Sequence, residues 1–234
     1  MKRGLLLAMV LLTCGVVLAQ APPDQSGGNL EAVLDHMDKA AASFTSAEAD
    51  FIWDQYQKVV EETDTQKGKV YFRRQGKDTQ MAAAIGAPEE KYLLYSGEKV
   101  RVYQPKIDQV TEYGAGKNRA EVESFLVLGF GGRGHDLLKS FDVRLLGYEQ
   151  VDGVRTAKLE MAPKGARARG VFERIVLWID ATRGVSLQQQ FFEPSGDYRL
   201  ARYNNIQLNQ KLPDSVFKLK TTSRTKYVNP QGGF

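Results

Sequence analysis

The stretch YLLYSGEKVRVYQPKIDQVTEY, residues 92–113, decides the fold. Its apolar and aromatic residues alternate with polar ones at a period of two, the spacing of side chains along a β-strand. Ser96-Gly97 interrupts the alternation with a pair that accepts the positive φ of a tight hairpin. Three short antiparallel strands are therefore predicted, over 91–95, 98–104 and 107–113.

The same pattern extends outward in both directions. Residues 47–60, 66–75 and 78–85 alternate before it, and 141–150, 153–162, 171–180, 184–193 and 196–209 after it. Asp152-Gly153, Arg183-Gly184 and Ser195-Gly196 mark further turns, so the chain reads as a meander of about eleven strands. A sheet of that size with one apolar face must curl to bury that face and needs helices to cover it. Leu30, Val33, Leu34, Met37, Ala40 and Ala41 repeat at helical spacing behind a candidate N-cap at Asn29, which predicts a helix over 29–43. Helical spacing also appears at 119–127 and 135–141. The predicted class is α+β, a curved antiparallel sheet with helices on its concave face.

At the N-terminus, Lys2 and Arg3 precede an apolar run from Leu5 to Leu18 that ends in Val17-Leu18-Ala19, the layout of a secretory signal peptide. The run is shorter than the roughly 20 residues a membrane span needs. Residues 1–19 are expected to be cleaved, leaving a flexible leader at 20–28 and a single domain over 29–234. Cys14 raises the rival reading of a lipoprotein signal, although Leu11-Leu12-Thr13 lacks the small residue usual just before such a cysteine. Cleavage after Ala19 removes the only cysteine, so no disulfide can form in the oxidising compartment. Without Lys2 and Arg3 the 32 basic residues fall to 30 against 28 acidic, a balance that does not suggest nucleic acid. Two local basic clusters, Lys164, Arg167 and Arg169, and then Lys218, Lys220, Arg224 and Lys226, read either as solvated loops or as a docking surface for an acidic partner or anionic headgroups.

Catalytic constellations are thin. Gly129-Phe130-Gly131-Gly132-Arg133-Gly134 matches G-x-G-x-x-G, with Glu149 beyond it, but the strand-to-helix context of a dinucleotide site is missing. A flexible linker between two lid helices is the preferred reading. His36 and His135 lack a second ligand at a metal-binding spacing, and no G-x-S-x-G elbow occurs. A hidden carboxylate pair stays open as an alternative. No catalytic residue, metal or cofactor is expected.

Strand parity nominates a site. Val70 and Phe72 share a face with Arg74, while Tyr71 and Arg73 point the other way. An arginine on an apolar face is costly unless paired or functional, the alternative being a strand-end arginine that reaches solvent. Phe51 with Trp53, Val100 with Val102, Ile175 with Leu177 and Ile179, and Leu187 with Phe191 form the other apolar faces; all of these but Ile175, with Val70 and Phe72, are the candidate cavity lining.

The chain resembles the LolA-type outer-membrane lipoprotein carriers. The likeness rests on SFTSAEADFIWDQYQ from Ser43, on Gly68-Lys69-Val70-Tyr71-Phe72-Arg73-Arg74, on residues 92–113, on IVLWIDATRGVSLQQQFFEPSG (175–196), and on Asn205, Asn209 and Phe217. It covers nearly all of the chain after the signal peptide. It implies an incomplete, unclosed β-barrel with a helical lid that shields lipoprotein acyl chains on the way to the outer membrane. Arg74 matches the family's arginine that holds the lid closed through helix backbone, although Gln75 stands where the family has proline. The resemblance further implies a periplasmic location, an inner-membrane ATP-driven lipoprotein-release transporter and an outer-membrane acceptor as partners, and a monomer. A periplasmic lipid- or lipoprotein-sensing regulatory module and an enzyme acting on a lipid or glycan are the alternatives.

Overall fold

The computed structural model describes residues 29–76, 78–97, 99–114 and 128–230. The expected signal peptide, leader and helix over 119–127 lie outside these residues. The first element is helix α1, Leu30–Ser43, where the Asn29 side chain caps the N-terminus by accepting from the Glu31 amide at 3.0 Å. Strands β1 (Ser46–Gln57), β2 (Glu62–Gln75), β3 (Asp78–Ala87), β4 (Lys91–Ser96), β5 (Lys99–Gln104) and β6 (Gln109–Gly114) follow. Helix α2 (Gly134–Ser140) precedes β7 (Phe141–Val151) and β8 (Val154–Pro163), and a short helix α3 (Ala166–Val171) precedes β9 (Arg174–Asp180), β10 (Ser186–Phe192) and β11 (Tyr198–Leu208). A twelfth strand, β12 (Lys226–Val228), ends the described chain.

All twelve strands form one sheet in the order β12-β6-β5-β4-β3-β2-β1-β11-β10-β9-β8-β7. Within β1–β6 and within β7–β11 consecutive strands pair antiparallel, as at the Asp152-Gly153 hairpin, where φ values of 49° and 78° give both central residues a left-handed backbone. Two pairings are not local, β12 with β6 and β1 with β11. Trp53 of β1 faces Gln66 of β2 on one side and Ala201 of β11 on the other, so β1 joins the two halves of the chain. At the far edges β12 and β7 have no second neighbour among the described residues, and the curved sheet stays open. Among the described residues the strands number twelve, in keeping with the expected meander of about eleven. The extra strand is only three residues long, too short for alternation to reveal, and it pairs in parallel with β6.

The helices cover the inner face. Val33, Leu34 and Met37 of α1 and Leu137 of α2 pack with Leu128, Phe141, Ala157, Leu159, Met161, Ile175, Leu177 and Ile179, all nearly inaccessible. A second inner cluster centres on Phe44, Phe51, Val70, Phe72 and Phe130. The outer face carries a third, where Leu212 and Phe217 of the C-terminal segment pack on Ala82 and Leu94. That segment straps the outside of the sheet before its end joins β6. No helix among the described residues is long and apolar enough to cross a membrane.

Candidate functional site: the inner face and its cover

Arg74 is the last inner-facing residue of β2, one step beyond Phe72 and Val70 on the same side. Its guanidinium donates to Ala41 O in the last turn of α1 and to Gly131 O, each at 2.8 Å. It also lies 5.7 Å from the centre of the Phe44 ring. Two carbonyls from separate covering segments are thus tied to one strand end. Both bonds have a charged donor, which makes them stronger than neutral ones.

The 128–134 segment is held down along its length. Ser186 N donates to Gly129 O at 2.9 Å, and the buried Gln189 side chain donates to Leu128 O at 2.5 Å. Gln189 in turn accepts from the Tyr203 hydroxyl at 3.1 Å, and burial pushes that phenol's pKa up. Between these anchors Phe130 stacks on Phe72 at 4.6 Å and meets Tyr203 edge-on at 4.9 Å. The glycines here serve close approach. At Gly131, with φ of +74°, a Cβ would sit 2.3 Å from the Phe44 ring, and at Gly134 it would sit 2.5 Å from Leu34 O. The reading of this cluster as a flexible linker is therefore corrected: it is a fitted plug. Glu149 is equally far from a nucleotide role, since it accepts from Trp178 Nε1 and lies 3.3 Å from Lys158.

His135 at the start of α2 lies between two acids of α1, with Nδ1 2.9 Å from Asp38 and Nε2 2.8 Å from Glu31. Hydrogen bonds donated to Glu31 and then to Asp38 raise its pKa above the ordinary 6.5. Burial by itself would raise the Asp38 pKa, but hydrogen bonds from the His135 amide and ring and from Arg133 leave it lowered. His36 Nε2 lies 3.1 Å from Thr182 O, a contact from the same helix to the β9–β10 turn.

The nominated apolar residues divide. Phe51, Val70 and Phe72 lie together under Phe44 and Phe130, with Trp53 packed against them. Leu177 and Ile179 belong to the cluster under α1 and α2, with Phe191 at its border. Val100 and Val102 pair with Tyr95 and Leu93 on β4. Leu187 departs from this set. The ladder is irregular between Ser186 and Gln188, and Leu187 lines an outer hollow of about 570 Å³ with Asp50, Lys69 and Arg183. The irregularity breaks the parity that would have placed Leu187 beside Phe191. Sequence reasoning missed Phe44, Phe130, Gln189 and Tyr203. A phenylalanine enclosed by glycines was the available signal for one of them.

Three comparisons bear on this arrangement. The family model for the outer membrane lipoprotein carrier protein LolA matches residues 42–220. No curated protein matches the chain. Among solved structures, an uncharacterized conserved protein from Thermus thermophilus is 14% identical with a TM-score of 0.56, over 86% of this chain and 98% of that one. MucB is 12% identical with a TM-score of 0.52, over 82% of this chain and 64% of MucB. The lipoprotein LppX of Mycobacterium tuberculosis is 13% identical with a TM-score of 0.47, over 79% of this chain and 97% of LppX. At such identities the structural likenesses are of fold alone, whereas the family match runs from the end of α1 through every strand up to β11 and over most of the strap. The chain belongs to the family of the outer membrane lipoprotein carrier protein LolA.

Proposed function

We propose that this protein is a carrier that takes acyl chains of lipoproteins, or of related lipids, onto the inner face of its open sheet and shields them across the periplasm toward the outer membrane. On this reading residues 1–19 are a cleaved export signal and 29–234 a single domain without catalysis of its own. The observation that carries the proposal is the pair of Arg74 bonds to Ala41 and Gly131, because they fasten a removable cover over an apolar face. Phe51, Trp53, Val70, Phe72, Val100, Val102, Leu177, Ile179 and Phe191 are the proposed contacts for cargo once the cover lifts.

Cargo and cover compete for one surface. Each methylene that leaves water contributes about 0.8 kcal/mol, and the chain must displace Phe130, Phe44 and the apolar side of α1 to collect it. A closed empty form and an open loaded form then differ by only a few kcal/mol, which lets cargo move on without nucleotide hydrolysis by this chain. Loading energy comes, by family analogy, from an inner-membrane ATP-driven transporter, and unloading is to an outer-membrane acceptor.

The test is Arg74→Leu. Removing both bonds costs the closed form on the order of 2–4 kcal/mol, so a fluorescent acyl probe should bind more tightly and leave more slowly. Unchanged binding and release in the variant would remove Arg74 from the mechanism.

A further inference from the structure

The two basic clusters of the sequence fare differently in the structure. Around α3, Lys164 donates to Leu138 O at 2.7 Å and lies 3.6 Å from Asp142, and Arg169 donates to Lys164 O at 2.6 Å. Those charges serve local structure. On the C-terminal strap Lys211, Lys218, Lys220, Arg224 and Lys226 are all exposed, and none forms a salt bridge with a described residue. Asp214, the strap's acidic residue, is taken by Arg73 at 2.5 Å. Phe217 is buried and Leu219 packs on the outer-face cluster, while Lys218 and Lys220 stay in solvent.

The strap carries these charges across the outer face, Lys211 beside β1, Lys218 and Lys220 over β2–β4, and Arg224 and Lys226 next to an apolar tip at the β6 edge. Tyr227 and Val228 of β12 are 62% and 40% exposed, and Ile107 is 55% exposed. The three share one margin of the sheet, because Lys226 N donates to Asp108 O at 2.9 Å and β12 lies along β6. We propose that this margin, one open edge of the half-barrel, together with the outer-face strap that leads to it, docks on a bilayer containing anionic phospholipid. Four of the five cations are lysines, point charges on flexible stems that suit a diffuse array of headgroups better than one fixed carboxylate. The amphipathic ring of Tyr227 beside an aliphatic residue is the composition of a membrane interface. Docking there sets one edge of the open sheet against the membrane, and it does not depend on the sheet taking acyl chains.

The test is co-sedimentation of the exported protein with phosphatidylcholine vesicles, neutral or doped with phosphatidylglycerol. The wild type is expected to bind the doped vesicles alone and to lose that binding as salt rises. Lys218→Gln with Lys220→Gln should weaken binding about 25-fold, at roughly fivefold per cation. Tyr227→Ser should weaken it further, with the acyl-probe affinity of all variants unchanged. Circular dichroism of the variants checks folding, and the salt dependence of the wild type stands without them. Equal binding to both vesicles, a double variant that binds like the wild type, or binding only when a membrane protein is reconstituted into the vesicles overturns the proposal.

Discussion

At His135 both ring nitrogens meet carboxylate oxygens, so only the doubly protonated imidazolium can donate to both Glu31 and Asp38. The groups facing it are these two acids of α1, with Arg133 beside Asp38. A raised folded pKa means that the stabilisation is fully present below the ordinary value of 6.5 and fades as pH rises through the raised value. Asp38 works in the opposite sense, since a lowered carboxylate loses its contribution as pH falls through that lowered value. The wild type should therefore lose thermal stability between mildly acidic and alkaline buffer, and His135→Gln should flatten that loss. Melting curves over the interval check it; parallel pH profiles for the two proteins would show that the contact is passive. The sequence displayed His135 as a lone histidine because its partners lie on α1, about a hundred residues away in the chain. Arg74 was legible for a different reason. Strand parity is a local property, and an arginine on the side of Val70 and Phe72 announces that something must satisfy it.

Among the elements, the C-terminal strap is held by few fastenings. The Asp108 carboxylate accepts from Thr222 Oγ1 at 2.8 Å, Thr225 Oγ1 at 2.6 Å and the Tyr103 hydroxyl at 3.2 Å, while Phe217 fills the outer cluster under the Arg73 guanidinium at 4.2 Å. Asp108→Ala should release residues 222–228 and leave the inner clusters intact. Amide exchange over that segment should become fast while β8 and β9 keep the wild-type rate. A global loss of protection would instead make the clasp part of the main folding unit. Strands and turns were read well from the sequence because alternation and turn pairs are local signals, and the ends of β4, β5, β7 and β8 fall within a residue or two of expectation. Leu187 was misplaced because a ladder irregularity is set by how β10 pairs with β9, which no period in one strand records.

For the whole molecule, stability is expected to fall from the strands packed under α1 and α2 toward the uncovered edge strand β12. Leu159, Met161, Ile175 and Leu177 of β8 and β9 are essentially inaccessible, whereas all three residues of β12 are exposed and paired on one side. Native-state exchange should open β12 first and the β8–β9 pair last, at the global unfolding free energy. Uniform protection across all strands would contradict that gradient. Much of this architecture was settled by sequence alone. The period of two, the turn pairs and the capped amphipathic helix determine a many-stranded antiparallel sheet with a cover, because each follows from forces acting within a few residues. The rest only the tertiary structure decided: that β1 joins β11 across some 150 residues, that glycines 131 and 134 let a plug touch Phe44 and α1, that a strap ends as a parallel strand, and that this strap carries five cations across the outer face without a salt bridge to any described residue. These depend on contacts between segments far apart in the chain, and local preference carries no record of which distant surfaces will meet.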